Sequence, residues 1–371
     1  MITTLQCGLR VCALCLVCWS CGITSAHAQD VTGTLNTAWE IFWQQSGNPC
    51  PLFKWQTPLR VRFSGASVER HKEVTLRHLR EVAEHAGLAV SETAADDTSA
   101  NVHVELLGAD APLPANQPCT TNFSVHNLAI TSATIKANDQ QVWRCMLHET
   151  MHLMGFQGHP LYHSILTYFA RSHQLTTVDK LLLKTLYSPE VASGTSPFAM
   201  LEILARRLVD NANDADKTSV KQAADLFLRK TIHEMEAFGS GTGEAPTVIV
   251  RSGRATKQGL ERGQIDIQYF LGLAYMHGHI VKPDKEKALG WLQKAAAASH
   301  GGAATQLKLA ATAEKNRSAL AAYPSSVVVI QFATPANAPS PSGAPSTCTP
   351  SGKPCDCSSG KLNAGTPSHE P

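Results

Sequence analysis

The sequence has little net charge and no long apolar run after its first 28 residues. Its 32 basic and 30 acidic residues leave a formal charge of +2, which excludes the strongly basic surface typical of nucleic-acid-binding proteins. No segment beyond residue 28 approaches the roughly 20 consecutive apolar residues that a bilayer-spanning helix needs. With 371 residues, 43% of them hydrophobic, the chain is long enough to bury two modest cores. We therefore expect a globular protein with no nucleic-acid partner and no membrane span.

The first 28 residues have the pattern of a secretory signal peptide. Arg10 supplies a positive charge, residues 11–19 form an apolar core, and Ala26-His27-Ala28 is a small-residue cleavage site. The apolar core is too short to span a bilayer. Cleavage after Ala28 predicts an exported protein, either periplasmic or secreted.

Cysteine usage fits export. Five of the eleven cysteines lie in the signal segment, and an even number remains in the mature chain: Cys50, Cys119, Cys145, Cys348, Cys355 and Cys357. An even set in an exported chain predicts disulfides, although the sequence does not define their connectivity. We expect two of Cys50, Cys119 and Cys145 to pair with each other. The other three, in the tail, form disulfides or remain free thiols.

One stretch carries a pattern typical of metal chemistry. His148-Glu149-Thr150-Met151-His152 has the form H-E-x-x-H, which on a helix places both histidines on one face. Imidazole nitrogen is a good ligand for Zn²⁺, and Glu149 can take a proton from a water that the metal activates. Asn138 or Asp139 can cap this helix. Gly155 can end it in a left-handed conformation and turn the chain back beneath the metal.

The motif continues beyond Gly155, with a third histidine at His159 and the segment Ser164-Ile165-Leu166-Thr167-Tyr168. This array resembles the metzincin zinc endopeptidases, whose pattern is H-E-x-x-H-x-x-G-x-x-H followed by a turn that carries Met. Here the third histidine is one residue further from the glycine, and Leu166 stands where Met is usual. The resemblance implies Zn²⁺ held by His148, His152 and His159. It also implies Glu149 as general base, with Tyr168 beside the developing oxyanion.

Other residues compete for some of these roles. His163 is the alternative third histidine ligand, and Asp179, Glu190 and Glu202 are less favoured carboxylate ligands. For Tyr168, the alternative to a role beside the oxyanion is a purely packing role. The segment 175–187 is similar to the closing helix of matrixin-type metzincins, which implies a structural role for Asp179 in the first helical turn.

The remaining pattern predicts an order of elements. The hydrophobic pattern predicts strands over residues 59–63, 101–106 and 128–135. It predicts an amphipathic helix over residues 68–86. Strand, helix, strand, strand and active-site helix is the order of the upper part of a zincin domain. Residues 59–168 also loosely resemble a bacterial domain family of unknown function.

The carboxyl-terminal half is predicted to be helical, over 198–209 and 220–238. Residues 264–302 resemble a Sel1-like repeat, a helix-turn-helix unit with small residues where its helices meet. One repeat cannot bury its own apolar face, so we expect it to pack on neighbouring helices. The resemblance implies a protein partner, with a packing role as the alternative. The run 325–332 is a short apolar, strand-like piece, and the chain from residue 333 onward is expected to be disordered because it is rich in Pro, Ser and Gly.

These observations predict an α+β protein. Residues 1–28 form the signal peptide and 29–192 a zincin-like domain, with a mixed twisted sheet and an active-site helix. Residues 193–323 form a small all-α Sel1-like domain, and 324–371 form the tail. We predict a zinc-dependent endopeptidase acting on peptide or protein substrates. The alternative is a non-catalytic, zinc-containing envelope protein that acts as a binding or scaffold module through its Sel1-like helices.

Overall fold

A computed structural model describes residues 24–43, 49–109, 111, 119–167, 173–252, 256–322 and 362–363. The first half contains a mixed sheet, whose strands are β1 (Lys54–Trp55), β2 (Leu59–Ser64), β3 (Val90–Glu92), β4 (Val102–Leu107), β5 (Cys119–His126), β6 (Ala129–Asn138) and β7 (Leu362–Asn363). The strand order is β3-β2-β4-β6-β5-β7, and β1 also pairs with β6. From β3 to β6 the neighbouring strands are parallel, whereas β5 runs antiparallel to both β6 and β7.

The helices are α1 (Thr24–Ile41), α2 (Val68–His85), α3 (Val142–Leu153), α4 (Thr177–Leu186), α5 (Pro197–Asp210), α6 (Lys217–Ser240), α7 (Thr247–Ser252), α8 (Lys257–His277), α9 (Lys285–Ala297) and α10 (Gly301–Ala322). Helices α2 and α3 pack against each other, and α3 also packs on β5 and β6. The prediction of a mixed sheet followed by a helical region is confirmed, and the assignment to the zincin fold stays a prediction.

The predicted strands form because their side chains alternate between the core and the surface. In β2, Leu59, Val61 and Phe63 face the core, and in β4 the inward residues are Val102, Val104 and Leu106. Strand β5, which the sequence analysis did not predict, alternates in the same way but with Cys119 and Thr121 among its inward positions. Its polar composition weakened the hydrophobic signal, although the period of two was present.

Helix α3 carries the histidine motif and is held at both ends by tertiary contacts. Val142, Met146 and Leu153 are fully buried along its length. The predicted cap by Asn138 or Asp139 is wrong, because the N-cap is Gln141, which makes no side-chain capping bond. Asp139 instead pairs with Arg70 and His71. Since α3 ends in the core, its free carbonyl groups need donors.

Two aromatic side chains supply those donors. Trp55 Nε1 donates to the Leu153 carbonyl at 2.8 Å, and Tyr187 Oη donates to the Met154 carbonyl at 3.2 Å. Both aromatic residues belong to other elements, Trp55 to β1 and Tyr187 to the end of α4. The carboxyl end of the motif helix is therefore placed by the sheet and by the helix that follows the site.

A disulfide between Cys119 and Cys145 joins β5 to α3 across a sequence separation of 26 residues, with the Cα atoms 6.3 Å apart. This confirms the prediction that two of the first three mature cysteines pair. Cys50 is also disulfide-bonded. The three tail cysteines, Cys348, Cys355 and Cys357, lie outside the described residues.

Loss of this disulfide should destabilise the protein. For a closed loop of this length, the chain-entropy model gives about 3.5 kcal/mol. We expect the Cys119→Ser, Cys145→Ser double variant to lower the free energy of unfolding by that order, measured by urea denaturation of the metal-free protein. A double variant that unfolds at the wild-type urea concentration would show that β5 and α3 hold together without the bond.

Helix α1 connects the sheet region to the helical region. The predicted cleavage point after Ala28 lies within this helix, and its described side chains from Val31 onward pack on α4, α5, α6 and α7. Trp39 stacks on Phe198 of α5 with ring centroids 5.3 Å apart. One continuous hydrophobic cluster runs from these residues through the sheet to Ala274 in α8. The sequence did not predict α1, because its first five residues, 24–28, fall in the segment read as a signal peptide.

The chain at the predicted domain boundary near residue 192 forms hydrogen bonds with the segment that leads into β1. The Leu52 amide donates to the Thr195 carbonyl at 2.9 Å, and the Gly194 amide donates to the Leu52 carbonyl at 2.8 Å. Lys54 Nζ donates to the carbonyl groups of Leu186, Ser188 and Val191. The two predicted domains therefore share backbone hydrogen bonds as well as a core.

The Sel1-like segment forms helices α8 and α9, which pack closely at Gly272. A Cβ atom at this position would lie 2.7 Å from Leu292 Cγ, so the helix contact requires a residue without a side chain. Helix α8 packs on α6, and this contact covers the apolar face that a single repeat leaves open. Among the described helices, none has the length and apolar character of a membrane span. The predicted tail lies outside the described residues, apart from Leu362–Asn363 of β7.

Candidate metal centre

Helix α3 brings two histidines of the motif together. His148 and His152 are one turn apart, and their Nε2 atoms lie 3.0 Å from each other. The helix ends at Leu153, and Gly155 follows with φ +99°, as the sequence predicts. A Cβ atom on Gly155 would lie 2.1 Å from the Phe53 carbonyl oxygen, so both the backbone conformation and the close approach require glycine.

The chain then turns back and places His159 beside His148 and His152. Its Nε2 atom lies 3.2 Å from His148 Nε2 and 3.1 Å from His152 Nε2. The turn is held against the end of α1, where the Gly158 amide donates to the Ile41 carbonyl at 2.9 Å. Beyond it, the Leu161 amide donates to Glu40 Oε2 at 2.9 Å. Glu40 also pairs with Arg251 of α7, so the loop with the third histidine rests on the helical region.

The hydrogen bonds of the other ring nitrogens define the tautomers of two histidines. His148 Nδ1 faces the Ile165 carbonyl oxygen at 2.9 Å, and His152 Nδ1 faces the Phe156 carbonyl oxygen at 2.6 Å. Carbonyl oxygens only accept, so each Nδ1 carries the proton and each Nε2 of a neutral ring carries a lone pair. The 3.0 Å contact between these two Nε2 atoms is therefore a contact between acceptors, which needs a cation between them to be favourable.

Burial keeps these rings neutral. It lowers the pKa of His148 to about 4 and that of His152 to about 3, with the nearby His148 adding to the effect on His152. Burial also lowers the pKa of His159 well below its usual value. Neutral imidazole is the form that binds metals.

The three Nε2 atoms converge on one point. Among the described residues, His148, His152 and His159 are the one group of His, Cys, Asp or Glu side chains placed to hold a metal ion. His152 is buried, and His148 and His159 are mostly buried. Three protein ligands are typical of catalytic zinc sites, whereas structural sites usually have four.

Glu149 is buried beside the first histidine, with 4% of its surface exposed. Thr121 of β5 places its Oγ1 atom 2.7 Å from Glu149 Oε2 and 3.0 Å from the Glu149 carbonyl oxygen. Burial raises the pKa of Glu149 to about 8, and the hydrogen bond with Thr121 opposes this shift. The position of this carboxyl group, next in sequence to His148, suits a group that both accepts and gives a proton.

The other candidate ligands lie elsewhere. His163 is exposed and its ring packs against Tyr162, away from the three clustered histidines. Glu190 pairs with Arg206 and Arg207, and Glu202 pairs with His279. Tyr168 lies outside the described residues, so its predicted role stays a prediction.

Two further predicted positions have structural roles. Leu166, at the position where metzincins have Met, is completely buried. Asp179 forms a capping box with Thr176 at the start of α4, which confirms its predicted place in the first turn of that helix.

The sequence analysis did not predict three contacts around the candidate site, which are made by Thr121, Gly158 and Glu40. Thr121 lies on the unpredicted strand β5, and Glu40 lies on the unpredicted helix α1. Gly158 lies so close to the end of α1 that a Cβ atom on it would fall within 2.7 Å of three backbone carbonyl oxygens. Each contact joins residues far apart in sequence, and no local pattern indicates such contacts.

Comparison with known families gives two matches. A model of the family described as "Protein of unknown function (DUF2927)" matches residues 40–206, which contain the three histidines and Glu149. A Sel1 repeat model matches residues 266–300, as the sequence resemblance predicts. The model that covers the histidines is therefore one of unknown function and not a metallopeptidase model. No curated protein and no solved structure matches the chain significantly.

Proposed function

We propose that this protein is an exported zinc-dependent endopeptidase of metzincin type. The observation that carries the proposal is the convergence of three Nε2 atoms, two of which are acceptors only 3.0 Å apart. Such a contact is repulsive in the absence of a cation, and the sequence around it supplies the other parts that peptide hydrolysis needs.

The donor set fits zinc. Ligand nitrogens at about 2.0–2.1 Å from a tetrahedral zinc ion lie about 3.3–3.4 Å from one another. The observed separations of 3.0–3.2 Å are slightly shorter, which small ring rotations can correct. Metal-binding histidines usually donate their second N–H to a carbonyl or carboxylate group, as His148 and His152 do.

Bound zinc supplies a Lewis acid that polarises a peptide carbonyl and makes nearby water more acidic. Glu149 then accepts a proton from the attacking water and delivers it to the leaving amine. Thr121 orients the carboxyl group through its hydroxyl. Burial of Glu149 keeps bulk water from competing with that transfer.

The architecture agrees with the zincin assignment. The chain runs strand, helix, strands and motif helix, and the antiparallel strand β5 lies alongside that helix. The disulfide from β5 to the motif helix agrees with export into an oxidising compartment. The first 28 residues, which we propose as a signal peptide, lie almost entirely outside the described part of the chain.

A second candidate function is a zinc-containing scaffold that acts through its helices. The Sel1 match favours it, because such repeats commonly mediate protein–protein contacts. A groove of about 880 Å³ between α1, α6 and the loop before α7 offers a surface for a partner. In this reading, zinc stabilises the fold and Glu149 has no proton to transfer.

The Glu149→Gln variant separates the two functions. We expect it to retain one zinc per chain and to lose at least about 10³-fold in peptide cleavage, because an amide accepts no proton at neutral pH. The measurements are metal content by mass spectrometry and cleavage of a mixed peptide library. Glu190→Gln, which changes an exposed carboxylate elsewhere, is the matched control and should cleave at the wild-type rate.

Zinc in both proteins with cleavage by neither would favour the scaffold. Equal cleavage by wild type and Glu149→Gln would remove Glu149 from the mechanism. Absence of zinc from the purified wild type would contradict both functions.

A further inference from the structure

We infer that Asp179 is a positioning residue for the metal centre and acts on His148 through Ser164 and the peptide group between Ile165 and Leu166. The inference rests on the proposed function, since it assigns a role toward a metal-binding His148. It extends the site to a carboxylate on α4, beyond the motif helix and its loop.

A continuous set of hydrogen bonds joins the two residues. Ser164 Oγ lies 2.5 Å from Asp179 Oδ1, and the Leu166 amide donates to Ser164 Oγ at 3.0 Å. The carbonyl of that same peptide group, on Ile165, accepts from His148 Nδ1 at 2.9 Å. The chain thus runs from a carboxylate through a hydroxyl and one peptide group to an imidazole.

The direction of every bond in this chain is defined. The Leu166 amide can only donate, so Ser164 Oγ accepts from it and has its own proton free for Asp179. The other neighbours of the carboxylate include two obligatory donors, the Ile165 amide at 3.0 Å and the Thr176 amide at 2.9 Å. These donors fix the position of the Asp179 carboxylate beside Ser164. All the dipoles therefore point the same way, and each bond strengthens the next.

Burial strengthens the effect of Asp179 on the other groups of this hydrogen-bonded chain. Asp179 and Leu166 are completely buried, and Ser164 is 3% exposed. With water excluded, the negative charge acts on its neighbours in a low local dielectric. It fixes the His148 ring orientation, keeps the proton on Nδ1 and increases electron density at Nε2, the atom that would face the metal.

The partners of Asp179 provide a matched control, because Ser164 and Thr176 contact different oxygens. Oδ1 contacts Ser164, whereas Oδ2 contacts the amide and hydroxyl of Thr176 in the capping box of α4 and also accepts from the Ile165 amide. Ser164→Ala interrupts the chain toward His148. Thr176→Ala weakens the cap of α4 and leaves that chain intact.

The test compares full-length wild type, Ser164→Ala and Thr176→Ala. Zinc affinity is measured against a competing chelator, and the Co²⁺-loaded proteins are compared by their d–d absorption spectra. We expect Ser164→Ala to bind zinc about 10- to 100-fold more weakly and to change the cobalt spectrum. We expect metal-free Thr176→Ala to unfold at a lower urea concentration than wild type, because the cap of α4 is weakened, while its zinc affinity and cobalt spectrum stay those of wild type.

A conservative variant separates positioning from folding. Ser164→Cys retains a weaker donor and acceptor, and should restore part of the zinc affinity and of the cobalt spectrum even if Ser164→Ala folds poorly. The inference is overturned if Ser164→Cys and Ser164→Ala bind zinc like wild type, or if Thr176→Ala reduces affinity as much as they do. If wild type itself binds no zinc, the proposed function fails first, and the two failures are thereby distinguished.

Discussion

Replacing His159 with alanine should remove zinc from the protein, whereas replacing His163 should leave it in place. His159 presents its Nε2 atom 3.1–3.2 Å from those of His148 and His152, and His163 is exposed on the surface. Loss of a direct ligand should exceed the 10- to 100-fold cost of removing a supporting group, so we expect more than about 100-fold weaker zinc binding. Titration with zinc in the presence of a competing chelator measures the difference.

Thermal unfolding gives an independent readout of the same prediction. A ligand that binds only the folded state stabilises it by about 4.1 kcal/mol at a free concentration 1,000 times its Kd. The melting temperature of wild type and of His163→Ala should therefore fall when EDTA removes the metal, and that of His159→Ala should not respond. Zinc binding by His159→Ala at wild-type affinity, or its loss from His163→Ala, would contradict the assignment of the third ligand.

The second large effect is expected at Gly158, where a methyl group has no space. A Cβ atom would lie 2.3 Å from the Trp43 carbonyl oxygen, 2.4 Å from that of Glu40 and 2.7 Å from that of Ile41. All three atoms belong to backbone at the end of α1 and cannot rotate away. We expect Gly158→Ala to destabilise the metal-free protein by about 3 kcal/mol or more, and to weaken zinc binding because the displaced loop carries His159.

Gly290 provides the matched control for a glycine-to-alanine change. It lies within α9, and a Cβ atom there would meet nothing within 4 Å. Gly290→Ala should stabilise the protein by about 0.5–1 kcal/mol through the helix propensity of alanine, with zinc affinity unchanged. Urea unfolding of both variants checks the contrast. A Gly158→Ala protein as stable as wild type would mean that the end of α1 does not hold the loop.

Some features could be predicted because their signals are local. The spacing of His148, Glu149 and His152 has chemical meaning only on a helix, and Gly155 marks the place where that helix has to end. The alternating residues of β2 and β4 define an inner and an outer face within five or six positions. The small residues of the Sel1-like segment indicate close helix packing before any partner helix is known.

Other features depend on contacts between distant residues. The pairing of Cys119 with Cys145, and not with Cys50, requires β5 to lie beside α3. Strand β5 was missed because Thr121 takes an inward position that is usually apolar, and that position brings its hydroxyl to Glu149. Helix α1 was missed because the sequence around Ala28 also reads as a processing site.

The sequence by itself determined which groups are available: three imidazoles, one carboxylate beside the first of them, and a glycine that turns the chain. Tertiary structure decided which histidine joins the pair on α3, because the loop is held by the end of α1 more than 100 positions earlier in the chain, at Ile41 and Glu40. It also decided the tautomers, since the carbonyl groups that face His148 and His152 belong to Ile165 and Phe156, in the segment that folds back after α3. Local periodicity determines what a segment can be, and long-range packing determines what its side chains meet.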